Sequence, residues 1–142
     1  MDIEELEGII FPVSKKIIDR IINNNTVFVK FTSRIPSNYK TINYKGKKLY
    51  LYESKSCKSI VGEAIIINSE YLLPKTALIK YNENFMLAEK EFYNYIKGRE
   101  KKEILVLSLK DIKRYKNPLR IKKRMTMTGI YLTKSNIKEI MI

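Results

Sequence analysis

Residues Lys45 to Asn68 read KGKKLYLYESKSCKSIVGEAIIIN, two strand-like runs joined by a short polar connection. In KKLYLYES the apolar and polar positions partly alternate, whereas in SIVGEAIII the β-branched run is almost continuous. Alternation marks a strand with one wet face and a continuous run marks one covered on both sides, so a half-exposed strand is predicted beside a buried one. Lys55, Ser56, Cys57 and Lys58 make the connection. Gly46 supplies a turn ahead of the first strand. Gly62 inside the second marks a bulge or a close backbone approach, the device by which small barrels bend their walls. The hairpin is therefore expected to curl into the wall of a small β-barrel.

Working outward toward the N-terminus, Gly8 to Val13 reads as a strand, and Ser14 as the N-cap of a helix carrying Ile17, Ile18, Ile21 and Ile22 at helical spacing. Asn23, Asn24 and Asn25 stop it. TVFVKFTSR from Thr26 is a second strand with Lys30 set among apolar neighbours, and Ile35 to Lys45 is a polar loop. Beyond the hairpin, Glu70 to Asn84 fits no single element, with Pro74 suited to the first turn of a short helix. Phe85, Leu87, Ala88, Phe92, Tyr95 and Ile96 lie on one face of a helix ending near Gly98. EILVLSL from Glu103 is a buried strand. A basic segment broken by Asn117 and Pro118 follows, then a last strand around Gly129 to Thr133 and an amphipathic tail. With no repeat and no low-complexity linker, residues 1–142 read as a single α+β domain.

Composition narrows the chemistry. The start, MDIEELEGII, lacks the basic and apolar regions of a secretory signal, and no apolar run approaches the roughly 20 residues of a membrane span, so a cytoplasmic, membrane-free protein is expected. The chain has one cysteine and no histidine. That excludes an internal disulfide and histidine-dependent catalysis, leaves no zinc ligand set, and points to no metal or other cofactor. Cys57 reads as an ordinary thiol, because nothing local demands a depressed pKa. The formal charge is +13, from 28 basic and 15 acidic residues, which favours a polyanionic partner. It is unevenly spread. Lys110, Lys113, Arg114, Lys116, Arg120, Lys122, Lys123 and Arg124 stand within fifteen residues against the single acid Asp111.

The order of elements, the YES…IVGEA hairpin, the FYNYIKGR helix end and the RYKNPL turn together resemble the PUA-like superfamily, specifically its ASCH and EVE relatives. Within it they are most similar to an uncharacterised archaeal group. The resemblance implies a small mixed β-barrel with helices closing its ends, and binding of RNA. ASCH relatives show Gly-x-Lys-x-x-x-x-Arg from helix end into second strand; here those positions hold Asn23, Asn25 and Lys30. The branch that hydrolyses acetylated cytidine has a lysine where Asn25 stands and a threonine where Phe28 stands, so that activity is not expected. EVE relatives cage a flipped base among aromatic groups, for which Phe31, Tyr50 and Tyr52 are candidates, with barrel filling as the competing role.

The expectation is an RNA-binding protein, with DNA possible, that performs no catalysis. Phosphates would be held by Arg114, Lys116, Arg120, Lys122, Lys123 and Arg124, with Tyr115 stacking beside them, arginine being well suited to both phosphate and base. A nucleotide cleft is expected where Lys30, Arg34, Tyr52 and Ser54 converge, with Tyr52 exposed. Lys45 is a further candidate for binding. Arg99, just past Gly98, either extends the basic surface or caps helix carbonyls. Two rivals from other classes remain: a metal-independent hydrolase of a modified nucleoside, pairing Lys30 or Lys45 with Glu53 or Glu63, and an adaptor whose basic face meets an acidic protein.

Overall fold

The structure, a computed structural model, describes residues 6–32, 44–55, 57–126 and 129–141. In chain order it runs β1 (Leu6–Val13), α1 (Lys15–Ile22), β2 (Val27–Lys30), β3 (Lys48–Glu53), β4 (Ser59–Leu72), α2 (Pro74–Tyr81), α3 (Glu89–Ile96), β5 (Ile104–Leu119), β6 (Ile130–Thr133) and α4 (Ile137–Ile140). Ser14 caps α1 by accepting a hydrogen bond from the Ile17 amide at 3.4 Å, and Asn24 ends the turn that follows with φ of 83°. The unassigned stretch from Glu70 resolves into the end of β4, then α2 with Pro74 in its first turn, then a 3-10 turn over Asn82–Asn84.

The strands form one sheet in the order β2-β5-β4-β3-β1-β6, with β1 and β3 parallel and the other neighbours antiparallel. The mixed α+β class is as expected; the closed barrel is not. Among the described residues no ladder joins β2 to β6, and β1 is already paired on both edges, by β3 and β6. The sheet rolls instead through side chains. Phe28 of β2 stacks on Phe11 of β1 with centroids 5.6 Å apart and planes 7° from parallel, and Lys30 Nζ lies 5.2 Å from the Phe11 ring centre.

The basic segment is also not a turn. It continues β5, antiparallel to β4, as far as Leu119 opposite Ile60. The strand absorbs Asn117 and Pro118 in a bulge where Tyr115 to Pro118 stand opposite Val61 alone, and a proline without an N–H is tolerated there. A second bulge carries Asp111 at φ of 50°. Gly62 permits the close approach: a Cβ there would sit 2.6 Å from the Lys113 carbonyl oxygen.

Because strand side chains alternate faces, adjacent β1 residues enter different cores. Phe11 joins the large inner cluster with Phe28, Leu49, Leu51, Ala64 and Leu107. Ile10 joins an outer cluster with Tyr52, Ile60, Ile130, Leu132 and Ile140, against which Tyr50, Tyr115, Ile121 and Met125 pack.

Candidate nucleic-acid interface

On the outer face, beside the end of β3, lies a cavity of about 700 Å³. Pro12 and Tyr52 line it from β1 and β3, Ser54 and Lys58 come from the β3–β4 connection, and residues 121–126 form a further wall, contributing Lys123, Arg124 and Met125. That wall is a strap leading away from β5. It is pinned to the end of α4 by the Lys122 amide, which donates to the Ile140 carbonyl at 2.8 Å, and by a bridge between Ile121 and Met141. Ile121 and Met125 turn into the outer cluster, so the intervening Lys122, Lys123 and Arg124 are left exposed. Among the described residues Lys58, Lys123 and Arg124 make no ion pair, and no acidic side chain lines the cavity.

Tyr52 and Ser54, two of the four residues expected at a nucleotide cleft, are thus at a cavity. Tyr52 is not the exposed platform anticipated: it is 8% exposed, covered by the outer cluster because the strap and α4 fold across it. Lys30 does not converge with it. Pro12, on the Tyr52 face, and Phe11, under the Lys30 amine, are neighbours on β1, so the sheet itself separates the two. Arg34 lies outside the described residues. Lys45 sits in the turn before β3, at the opposite end of that strand from Ser54. Sequence reasoning missed Lys58 and Met125; the alternation of IKKRM, apolar at each end and basic between, was the available signal.

From the cavity the basic ridge runs back along β5. Lys110, Lys113, Lys116 and Arg120 are exposed. Arg114 is committed to an ion pair with Asp19 of α1, which ties the ridge to the body. The Tyr115 hydroxyl donates to Glu63 Oε1 at 2.9 Å, and Lys48 Nζ lies 3.1 Å from Glu63 Oε2. Burial raises the Glu63 carboxyl, but hydrogen bonds from Tyr115 and Lys48 and the charges of Lys48 and Lys113 outweigh it and hold the group below its ordinary range. Burial and that same carboxylate push the Tyr115 phenol up. Tyr115 is therefore a brace between β5 and β4 rather than a free ring.

The inner face carries a separate group. Burial lowers the Lys30 amine below its ordinary range. The Arg99 guanidinium lies 4.1 Å from the Phe31 ring centre and 4.9 Å from that of Tyr95, and donates to the Tyr95 carbonyl, so it caps α3 while covering two aromatic rings. Phe31 and Tyr95 stack at 5.4 Å, and the Tyr95 hydroxyl accepts from the Phe31 amide. Deeper in, burial and the hydroxyls of Tyr131 and Tyr71 push the Tyr44 phenol far up.

Three of the positions that the resemblance singles out, Asn23, Asn25 and Phe28, serve the fold. Asn23 ends α1, the Asn25 side chain donates to the Phe85 carbonyl at 2.8 Å, and Phe28 is 2% exposed. Two of the pairs that the hydrolase reading would use, Lys30 with Glu63 and Lys45 with Glu53, are set apart. Glu63 belongs to Lys48 and Tyr115 on the outer face while Lys30 is on the inner one, and Lys45 and Glu53 bracket opposite ends of β3. Among the described residues no cluster of three or more Cys, Asp or Glu is placed to hold a metal, and no helix is long and apolar enough to cross a membrane.

The sequence pattern of a family described as a domain of unknown function, DUF365, matches residues 6–134. An uncharacterized protein of Methanocaldococcus jannaschii is 29% identical over 104 residues, covering 66% of this chain and 96% of the relative. Among solved structures, the crystal structure of ASCH from Zymomonas mobilis superposes with a TM-score of 0.74 at 16% identity, over 94% of this chain and 92% of that one. A serine-to-alanine variant of the same protein gives 0.76 at 16% identity, covering 96% of each chain. The fold is thus shared with the ASCH structures.

Proposed function

The chain belongs to the DUF365 family, and from that premise we propose that it binds single-stranded RNA along the outer face without catalysing a reaction on it. The observation carrying this reading is the exposed basic ridge of β5, which leads through the strap into a cavity walled by Lys58, Lys123 and Arg124 with no acidic lining. The ASCH-like fold is consistent with it, since PUA-like domains are often RNA-binding. Lys110, Lys113, Lys116, Arg120 and Lys122 would follow the phosphates, and each neutralised phosphate would release condensed counterions. Arg114 and Tyr115 serve this surface indirectly, by anchoring the ridge. Affinity for a twelve-nucleotide RNA should fall steeply as salt is raised. Changing Lys122, Lys123 and Arg124 to Ala should lower the slope of log K against log salt by about 0.7 for each phosphate no longer neutralised. Equal slopes for the two proteins, in titrations over several salt concentrations, would remove the ridge and strap from the interface.

A further inference from the structure

The cavity and the ridge make different offers to a nucleic acid. A phosphodiester backbone carries one charge per residue and is served by a line of separated cations on an open surface, which describes Lys110, Lys113, Lys116 and Arg120 on β5. In the cavity, Lys58 comes from the β3–β4 connection and Lys123, Arg124 and Met125 from the strap, with Pro12 and Tyr52 lining it from the sheet. Cations brought to one cavity from two separate segments suit a compact group of higher charge density than a diester, and the Ser54 hydroxyl lines the same cavity. Tyr52 is 8% exposed and what it exposes lines the cavity, so its ring and hydroxyl are presented to an occupant there. A volume of about 700 Å³ is ample for one nucleotide and too small for a folded strand.

We infer that this cavity receives a terminal nucleotide bearing a phosphomonoester, whose dianion is held by Lys58 from the β3–β4 connection and by Lys123 and Arg124 from the strap while its sugar and base rest on Tyr52 and Met125. The inference rests on the RNA-binding reading and adds that the protein reads a phosphorylated chain end, the ridge holding the strand that leads to it. The same chemistry is carried by a free mononucleotide, and the two sources separate by experiment.

The test uses one twelve-nucleotide single-stranded RNA of mixed sequence prepared with a 5′-phosphate, with a 3′-phosphate and with hydroxyls at both ends, each titrated into the full chain, and adenosine 5′-monophosphate as competitor. One of the phosphorylated forms should bind about tenfold or more tightly than the hydroxyl-ended form, the scale expected of charge-assisted hydrogen bonds to a dianion. Combining Lys58→Ala with Arg124→Ala should abolish that preference. Changing Lys110, Lys113 and Lys116 to Ala should weaken all three RNAs alike and leave the preference intact. If adenosine 5′-monophosphate alone binds as tightly as the phosphorylated RNA, the ligand is a free nucleotide and the chain-end assignment is overturned. Equal binding of the three RNAs overturns the inference while leaving RNA binding standing. No binding of any of them overturns the function reading and this one with it.

Discussion

At the scale of single residues, Gly62 links the strands to the surface they present. A Cβ at this position would meet the Lys113 carbonyl oxygen at 2.6 Å, backbone against backbone, so no side-chain rotation relieves it. Gly62→Ala should therefore force β4 and β5 apart beside the Glu63–Tyr115 brace and cost about 1–3 kcal/mol, read as a lower urea midpoint. Because the ridge is carried on that ladder, RNA affinity should fall with it. An unchanged midpoint would mean that β5 yields freely here. The sequence marks Gly62 as a bulge or a close approach, and both are present, since the register slips on either side of it. It does not mark Tyr52 as buried. Burial of that ring depends on a strap and a helix some seventy residues further along the chain, and nothing in the local alternation of KKLYLYES reports what will fold over it.

Among the elements, the short helices are held by charge at their ends. Glu91 in the first turn of α3 accepts from the Ala88 amide at 2.8 Å and is gripped by Arg20 of α1, with Lys16 Nζ at 3.2 Å. The Arg20 guanidinium foremost, then the Ala88 amide, hold its carboxyl down at about 2, against an ordinary 4.5. A carboxyl depressed in the folded state stabilises it above the unfolded value, and that stabilisation is lost as the pH falls through the folded one. Glu91 should thus support the α1–α3 pairing in full above about pH 5 and lose its effect between pH 4.5 and about 2. Glu91→Gln should lower stability at pH 7 by about 0.5–1 kcal/mol, the group being part-exposed, and the deficit should shrink toward pH 2. Urea midpoints at pH 7, 4 and 2.5 that run parallel for the two proteins would overturn this. The elements themselves are largely legible: strand β1, the Ser14 cap and the central hairpin stand where apolar spacing and capping put them, whereas α3 begins only at Glu89, so Phe85, Leu87 and Ala88 precede the helix whose face the spacing assigns them. The basic segment reads as a turn because Asn-Pro normally breaks a strand, and the structure makes it strand instead. What offsets the Asn-Pro is the partner strand β4, whose length decides how far β5 continues and which local sequence does not reveal.

For the whole molecule, the roll of the sheet decides which side chains share a face, and this is the least legible feature. A closed barrel would have gathered Lys30, Tyr52 and Ser54 around one mouth. The open order β2-β5-β4-β3-β1-β6 leaves Lys30 on the inner surface above Phe11 and sends Tyr52 and Ser54 to the outer one. That separation bears on chemistry as well as binding. Hydrolysis of an acetylated amine needs a nucleophile or general base within hydrogen-bond reach of a group that stabilises the developing oxyanion. On the inner face the chain offers the Lys30 amine, while the Asn25 amide is spent on the Phe85 carbonyl and Phe28 is packed against Phe11. On the outer face, the Glu63 carboxylate is already held by Tyr115 and Lys48, which favour its charged form and lower its basicity. Incubated with N4-acetylcytidine, the protein should leave it intact over hours at micromolar concentration, as followed by chromatography. Release of cytidine that is lost in Lys30→Ala and retained in Glu63→Gln would locate an active site on the inner surface and make the outer ridge an accessory to it. Release lost in Glu63→Gln instead would mean that the Tyr115 brace opens to free a base, which the ladder between β4 and β5 argues against.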